Sequence, residues 1–585
     1  MIHEGGSAVA EFNRPPVTLE KPLLGKSLPL FVETAFPSGE FDDHEAQDEC
    51  GVFGVWAPGE PVGTITYIAG IMQEHRGLSA TGIGYRDPRS QEMVVLKGLG
   101  RVMHALPEMW PVEGKTIAEA IGSDMALLHN RYSTQPDDSV EMAHPHIGKR
   151  TGVTVIVNGN LEGIKSIAAQ RGLELPEDTT DSYDLTQLID QALAENGEIE
   201  SALKDAFKDV RGAYCVVMAY GNTIVGYMDA WGVHPLKLAT FNGGKHAAIA
   251  SEAVAFAGID HELTVRDFNP GEAVIINSDG VRSVQIMQPQ KKQRCIIESV
   301  YTAAPHEVTF GAHNAMARYN MGKKLAHVAP VKADLVIPVP SSGIPAAKGY
   351  SVESGIPYKE ILRKRSGATR TFILRGPARD KMLDSKFEID EEALNYPELK
   401  VIKAEINELV RLGDLSESQR DSLNALIDAQ ALLGLILVVV DDSAIKGNTI
   451  RKLNRALKAA GAKEVHWRLA AMPTTHPCNQ GLDTGNPHEL LALKETPEGL
   501  VVRTNEEMAA ALSTDEASVD SIAFNKFADV ESAIDEARVD PHTPSLLGTF
   551  CQGCAHGVYE IKIPASVAKE RRRRAARVLA AATQA

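Results

Sequence analysis

The chain has 585 residues, 44% of them hydrophobic and 23% charged, with a formal net charge of −17. This length and composition suit a soluble globular protein of roughly two to four domains. The acidic balance argues against a nucleic-acid binder. With no apolar run of about 18 residues and no basic start followed by an apolar core, neither a membrane span nor a secretory signal is expected. Six cysteines are too few for a disulfide-stapled scaffold and point to a reducing cytoplasm.

Residues 1–49 sustain no helical or strand period and are read as a leader. Directly after it comes Cys50, in Cys50-Gly51-Val52-Phe53-Gly54. A cysteine that becomes the first residue of a mature chain carries both a nucleophilic thiolate and, in its free α-amine, a base. From Cys50 to about 290, short β-rich segments (Val153–Val157, Tyr214–Ala219, Ala247–Ala250) alternate with helical stretches such as Asp184–Ala194, an α+β pattern. Three features there suit amide hydrolysis. Arg131 can clamp a carboxylate with two hydrogen bonds. Asp181 can pair with an amine. Asn158 and Gly159 can donate to an oxyanion.

From about 291 to 480 the pattern becomes strand, loop, helix. Leu335–Pro340 leads through Ser341-Ser342-Gly343 into a helix-like stretch from Ala346 to Val352. The apolar run Leu432–Val440 reads as a strand buried on both faces of a parallel sheet. It ends at Asp441-Asp442-Ser443, and Lys446-Gly447-Asn448-Thr449 opens the next helix. Ligands of open α/β sheets bind at the carboxyl ends of strands, where both loops lie. Two acids there suit ribose hydroxyls, and a glycine at a helix start suits a phosphate. An intervening segment, about 380–430, has helical periodicity. Residues 481–585 form a polar C-terminal segment containing Cys551-Gln552-Gly553-Cys554 and a basic tail, Arg571–Arg574, read as a solvated helix.

Five motifs carry a resemblance: Cys50-Gly51-Val52-Phe53-Gly54, His75-Arg76-Gly77, Arg131-Tyr132-Ser133-Thr134, Asn158-Gly159-Asn160-Leu161 and Arg211-Gly212-Ala213-Tyr214. Their order resembles class II glutamine amidotransferases. With the second half, the chain is similar to the amidophosphoribosyltransferase family from about Asp48 to Ile563. The resemblance implies an N-terminal-nucleophile (Ntn) glutaminase fold of αββα layers over 50–290. A type I phosphoribosyltransferase fold with a parallel sheet would follow over 291–480. Cleavage would fall between Glu49 and Cys50, with Cys50 the nucleophile, Arg131 and Asp181 the glutamine anchors, and Asn158 and Gly159 the oxyanion hole.

The implied reaction passes ammonia from glutamine through an internal channel to C1 of 5-phosphoribosyl-1-pyrophosphate (PRPP). It gives 5-phosphoribosylamine, the first committed step of purine synthesis. Asp441, Asp442, Ser443, Lys446, Gly447, Asn448, Thr449, Ser341, Ser342 and Gly343 would bind PRPP. Mg²⁺ would lie by Ser342, Asp441 and Asp442, with few protein ligands. Cys295, Cys478, Cys551 and Cys554 match the ligands of a 4Fe–4S cluster in one branch of the family. Zinc or four buried thiols are the alternatives. Purine nucleotides would inhibit a homotetramer. The chain departs from the family pattern at Lys446 (Arg), Asn448 (Thr), Ser341 (Asp) and His234 (Arg), and in a long 373–440 segment. Those departures keep open a paralogue that delivers ammonia to another phosphosugar. A nucleotide sensor is the other rival, although it would have no use for a glutaminase site.

Overall fold

The computed structural model describes residues 50–561 apart from 110–120, 133–138, 177–178, 365–386, 390–406, 408–409, 412–431, 433, 483, 485 and 498. The expected leader, the Arg571–Arg574 tail and most of the helical segment at 380–430 therefore lie outside the described residues.

The first half is built on two antiparallel sheets. One has seven strands in the spatial order Thr264–Asp267, Lys237–Phe241, His246–Ala250, Gly51–Trp56, Met125–Arg131, Ala80–Arg86, Met93–Leu99. The other has six: Gly280–Gln285, Glu272–Asn277, Thr223–Met228, Arg211–Tyr220, Thr154–Glu162, His146–Ile147. Strand alternation sorts the side chains into layers. Val52, Trp56, Leu127, Ile156, Val217 and Val274 fill one core between the sheets. Phe53, Val55, Ile83 and Leu128 point the other way and pack on the helix Val62–Met72. The outer face of the second sheet packs on the helices Asp181–Asn196 and Ile199–Phe207 through Leu185, Leu188, Ile189, Leu203 and Phe207. The order is helix, sheet, sheet, helix, which is the expected αββα arrangement.

The second half carries a four-stranded parallel sheet in the order Leu335–Pro338, Ile436–Asp441, Glu464–Leu469, Ser521–Phe524. Alternate residues of the strand Ile436–Asp441 serve two cores, Val438 and Val440 one and Leu437 and Val439 the other. A strand covered on both faces reads as a continuous apolar run, which is why it was legible. Its start is trimmed, because Gly434 turns the chain with φ 78° before the strand begins at Ile436.

Two expectations are corrected. The sheet does not end near 480, since its fourth strand comes from the segment read as a polar C-terminal piece. Only four residues long and followed by an amphipathic helix, Phe527–Asp535, that strand gave no separate signal. Within the stretch read as helical, Phe387–Ile389 is instead a strand paired antiparallel with Leu362–Lys364.

Candidate active sites

The register of the seven-stranded sheet places Gly51 opposite Asn130, which sets Cys50 alongside Arg131. Both project into the space between the sheets. The facing strand Thr154–Glu162 supplies Asn158, 1% exposed, whose amide Nδ2 has no partner among the described residues. A buried donor without an acceptor is costly and rare. Such a donor is what an oxyanion hole would require. Next to it, Gly159 adopts φ 132°, and any Cβ there would collide with the Ala213 carbonyl, so the position demands glycine.

Asp181 opens the helix Asp181–Asn196, which Thr180 caps by accepting from the Tyr183 amide. Its carboxylate accepts the Leu161 amide at 2.9 Å and the Ser182 amide at 2.8 Å. Burial nonetheless raises its pKa, with those bonds and Arg131 pulling the other way. Arg131, alongside Cys50 in the register, is thus within electrostatic reach of Asp181, and the strand carrying Asn158 and Gly159 faces theirs.

Sequence reasoning missed three histidines in this cleft. His129, His144 and His146 lie in series with tilted rings, centroids 4.0 and 4.7 Å apart and planes at 32° and 56°. The Val157 amide donates to His144 Nδ1 at 3.1 Å, which places the proton on Nε2, 2.7 Å from Ser182 Oγ. His129 Nε2 donates to the Val157 carbonyl at 2.9 Å. Two imidazoles therefore grip both polar groups of the residue before Asn158, and one of them ties that strand to the residue after Asp181. Burial pushes His129 and His146 down to about 3 and His144 well below its ordinary value, so all three are neutral at pH 7. The signal that could have found His129 is its spacing of two from Arg131 on one strand.

A buried polar network runs from this cleft toward the second half. Arg76 Nε donates to the Cys50 carbonyl at 3.3 Å, and its other nitrogens bind Glu252 at 2.7 Å and Glu298 at 2.8 and 3.0 Å. His75 joins Glu252 at 2.8 Å. Glu298 begins a short π-helix, Glu298–Thr302. Arg318, 2% exposed, donates to the carbonyls of Ser299, Tyr301 and Ala303 just beyond. Burial lowers Arg318 to about 10, opposed by the field of Asp442 first and then Glu252.

Asp442 belongs to the second candidate site. Asp441 ends the strand Ile436–Asp441 and Asp442 follows it, each 1% exposed. The Asp442 amide donates to Asp441 Oδ1 at 2.9 Å and Ser443 Oγ donates to Asp442 Oδ1 at 2.6 Å. The loop continues to Gly447, whose φ of 80° opens the helix Asn448–Ala459. Lys446 Nζ lies 2.7 Å from Glu489. Ser341-Ser342-Gly343 leaves the neighbouring parallel strand at the same edge. A Cβ on Gly343 would stand 2.6 Å from the Val440 carbonyl, so the two loops are in backbone contact.

Of the four remaining cysteines, Cys478 and Cys551 both lie close enough to Cys554 to raise its thiol pKa, although burial is the larger cause. The Cys551 amide donates to the Arg294 carbonyl at 2.8 Å, which brings Cys295 alongside. Backbone amides also point at sulfur, Gln480 N to Cys478 Sγ at 3.2 Å and Gly553 N to Cys551 Sγ at 3.4 Å. Among the described residues no three Cys, His, Asp or Glu side chains converge on a point suited to a single metal ion. The segment carrying Cys478 also reaches the first half. Asn160 Nδ2 donates to the Asn479 carbonyl at 3.2 Å, and His234 Nε2 to the Gln480 carbonyl at 2.9 Å.

Fold and clefts together define the class: an Ntn glutaminase joined in one chain to a phosphoribosyltransferase fold. No family model matches the chain. It is 34% identical over 539 residues to the amidophosphoribosyltransferase of Mycobacterium tuberculosis, covering 90% of this chain and 89% of that protein. It is 31% identical over 533 residues to that of Synechococcus elongatus, covering 90% and 94%. Among solved structures it resembles an allosteric regulatory enzyme of purine biosynthesis (TM-score 0.69, 25% identity, 88% of this chain and 97% of that one). It also resembles the glutamine PRPP amidotransferase from B. subtilis complexed with ADP and GMP (TM-score 0.68, 25% identity, 88% and 98%). The chain belongs to the amidophosphoribosyltransferase family.

Proposed function

We propose that this chain makes 5-phosphoribosylamine, glutamate and pyrophosphate from glutamine, water and PRPP. The observation that carries the reading is the pair of clefts joined by one buried network, from the Cys50 carbonyl through Arg76 and Glu298 to the segment that Arg318 holds beside Asp442.

In the first cleft, Arg131 takes the glutamine carboxylate and Asp181 its amine. The Cys50 thiolate attacks the side-chain amide carbon, and the oxyanion is received by Asn158 Nδ2 and the Gly159 amide. The free α-amine left by cleavage before Cys50 takes the thiol proton and delivers it to the departing ammonia. Water then hydrolyses the thioester to glutamate.

In the second cleft, Asp441 and Asp442 accept the ribose hydroxyls, and Ser443, Lys446, Gly447, Asn448 and Thr449 cradle the 5′-phosphate. Ser341, Ser342 and Gly343 wrap the pyrophosphate. Ammonia forms a bond to C1 as the bond from C1 to pyrophosphate breaks. Ser342, Asp441 and Asp442 would hold Mg²⁺, which neutralises charge on the leaving group.

Cys295, Cys478, Cys551 and Cys554 would hold a 4Fe–4S cluster as a clip between the C-terminal segment and the sheet. Amides aimed at sulfur fit thiolate ligands. Purine nucleotides are the expected inhibitors of a homotetramer, in keeping with the ADP and GMP bound in the B. subtilis relative.

The test is stoichiometry. The purified chain, given glutamine, PRPP and Mg²⁺, should release glutamate and pyrophosphate in equal amounts. Glutamate release without pyrophosphate would transfer the second cleft to another phosphosugar. A mature mass that retains residues 1–49 in an active enzyme would rule out the terminal-amine step.

A further inference from the structure

Lys97 has no assigned role. It lies on the strand Met93–Leu99, directly opposite Gly82, and Gly82 is in turn opposite His129 on the strand Met125–Arg131. Lys97, His129 and Arg131 therefore share the face of the sheet that looks into the glutamine cleft. Gly82, lying between Lys97 and His129, has no side chain, and a Cβ there would collide with the His144 carbonyl. The path from Lys97 toward the cleft is thus bordered by the histidine series.

The charged groups that act on Lys97 are Glu141, on a turn beside the strand, and Arg131. It is only partly exposed, and among the described residues no carboxylate stands within ion-pair distance of it. Burial brings it down to about 8, Glu141 opposes that shift and Arg131 adds to it. Its field is also felt by His129, His144 and His146. A half-buried ammonium facing a guanidinium and three neutral imidazoles, with only the exposed Glu141 acting in its favour, is poorly compensated. Such an arrangement becomes favourable when an anion binds between the two cations.

We infer that Lys97 is a second cation for the α-carboxylate of glutamine, acting with Arg131. This rests on the reading of the Cys50 cleft as the glutamine site. Arg131 supplies a planar fork, and Lys97 supplies a point charge from the next strand but one.

The test removes the charge and the carboxylate in turn. Glutaminase activity would be measured in the full mature enzyme with PRPP present. The substrates are glutamine and 4-aminobutanamide, which keeps the amide and the amine but lacks the α-carboxylate. In Lys97→Met, kcat/KM for glutamine should fall about 10- to 100-fold, mostly through KM, the size expected for one charge-assisted bond. For 4-aminobutanamide it should change less than about twofold. Lys97→Arg should recover most of the loss. The melting temperature of Lys97→Met should hold or rise, because an unpaired half-buried charge has gone.

An equal fall with both substrates, or no fall with glutamine, would overturn the inference. Cys50→Ala separates this failure from a wider one. If that variant still hydrolyses glutamine, the cleft itself has been misread. If it is inactive while Lys97→Met is normal, only the role of Lys97 fails.

Discussion

The two clefts are built in opposite ways. The cleft proposed for the phosphosugar is made of two loops, each contiguous in sequence, leaving neighbouring parallel strands at one edge. The cleft proposed for glutamine draws on single residues of two facing sheets and one helix: Cys50, Lys97, His129, Arg131, Asn158 and Asp181. A loop site carries its chemistry in a run of residues, whereas a site between sheets carries it in register and facing, which appear only once the strands are paired. The two also differ in how charge is managed. The field of Asp442 acts on the buried Arg318, while among the described residues Lys97 has no carboxylate within ion-pair distance and feels only the field of the exposed Glu141.

This contrast can be broken most severely at Arg76. Arg76→Met leaves Glu252 and Glu298 buried beside Cys50 without their guanidinium, and stability should fall by about 3–5 kcal/mol. Chemical denaturation would measure it, and a loss under about 1 kcal/mol would show that the network is not a structural joint. The same network sets an acid limit. Burial alone would raise Glu252, but His75 and Arg76 outweigh it and hold the carboxyl at about 2. A carboxyl depressed in the folded state contributes fully above its ordinary value of 4.5. That contribution drains away as pH falls from 4.5 toward 2, and Arg76→Met should shrink this limb of the stability profile.

Next in size, Asn158→Ala should lower kcat with glutamine by about 10²- to 10³-fold, since the amide acts only on the oxyanion. The ammonia-dependent rate is the internal reference, and an equal fall in both would make Asn158 a packing residue. A smaller effect should follow at His144. Gln can accept from Val157 and donate to Ser182, whereas Leu can do neither. His144→Leu should cost about 1–3 kcal/mol of stability and slow the glutamine reaction, with His144→Gln recovering much of both. Identical behaviour of the two would reduce the histidine series to filler.

Much of the fold was legible for the same reason as the phosphosugar loops. Leu335–Pro338 and Ile436–Asp441 are short runs buried on both faces, and Gly447 marks the start of the helix that follows. The strand Ser521–Phe524 was not legible, because four residues inside a polar stretch carry no period that can be told from chance. For the cleft proposed for glutamine, the candidates Cys50, Arg131, Asn158 and Asp181 come from short motifs. His144, His146 and Lys97 do not. Their role depends on Gly82 letting the His144 backbone approach the sheet, and no spacing along the chain records that.

The central claim is that one chain runs two separable half-reactions. Its most direct test is pyrophosphate release from PRPP and Mg²⁺ by wild type and Cys50→Ala, with either glutamine or ammonia as donor. The account predicts release by wild type with both donors and by Cys50→Ala with ammonia alone. Glutamine-dependent release by Cys50→Ala, or no release by wild type with either donor, would contradict it.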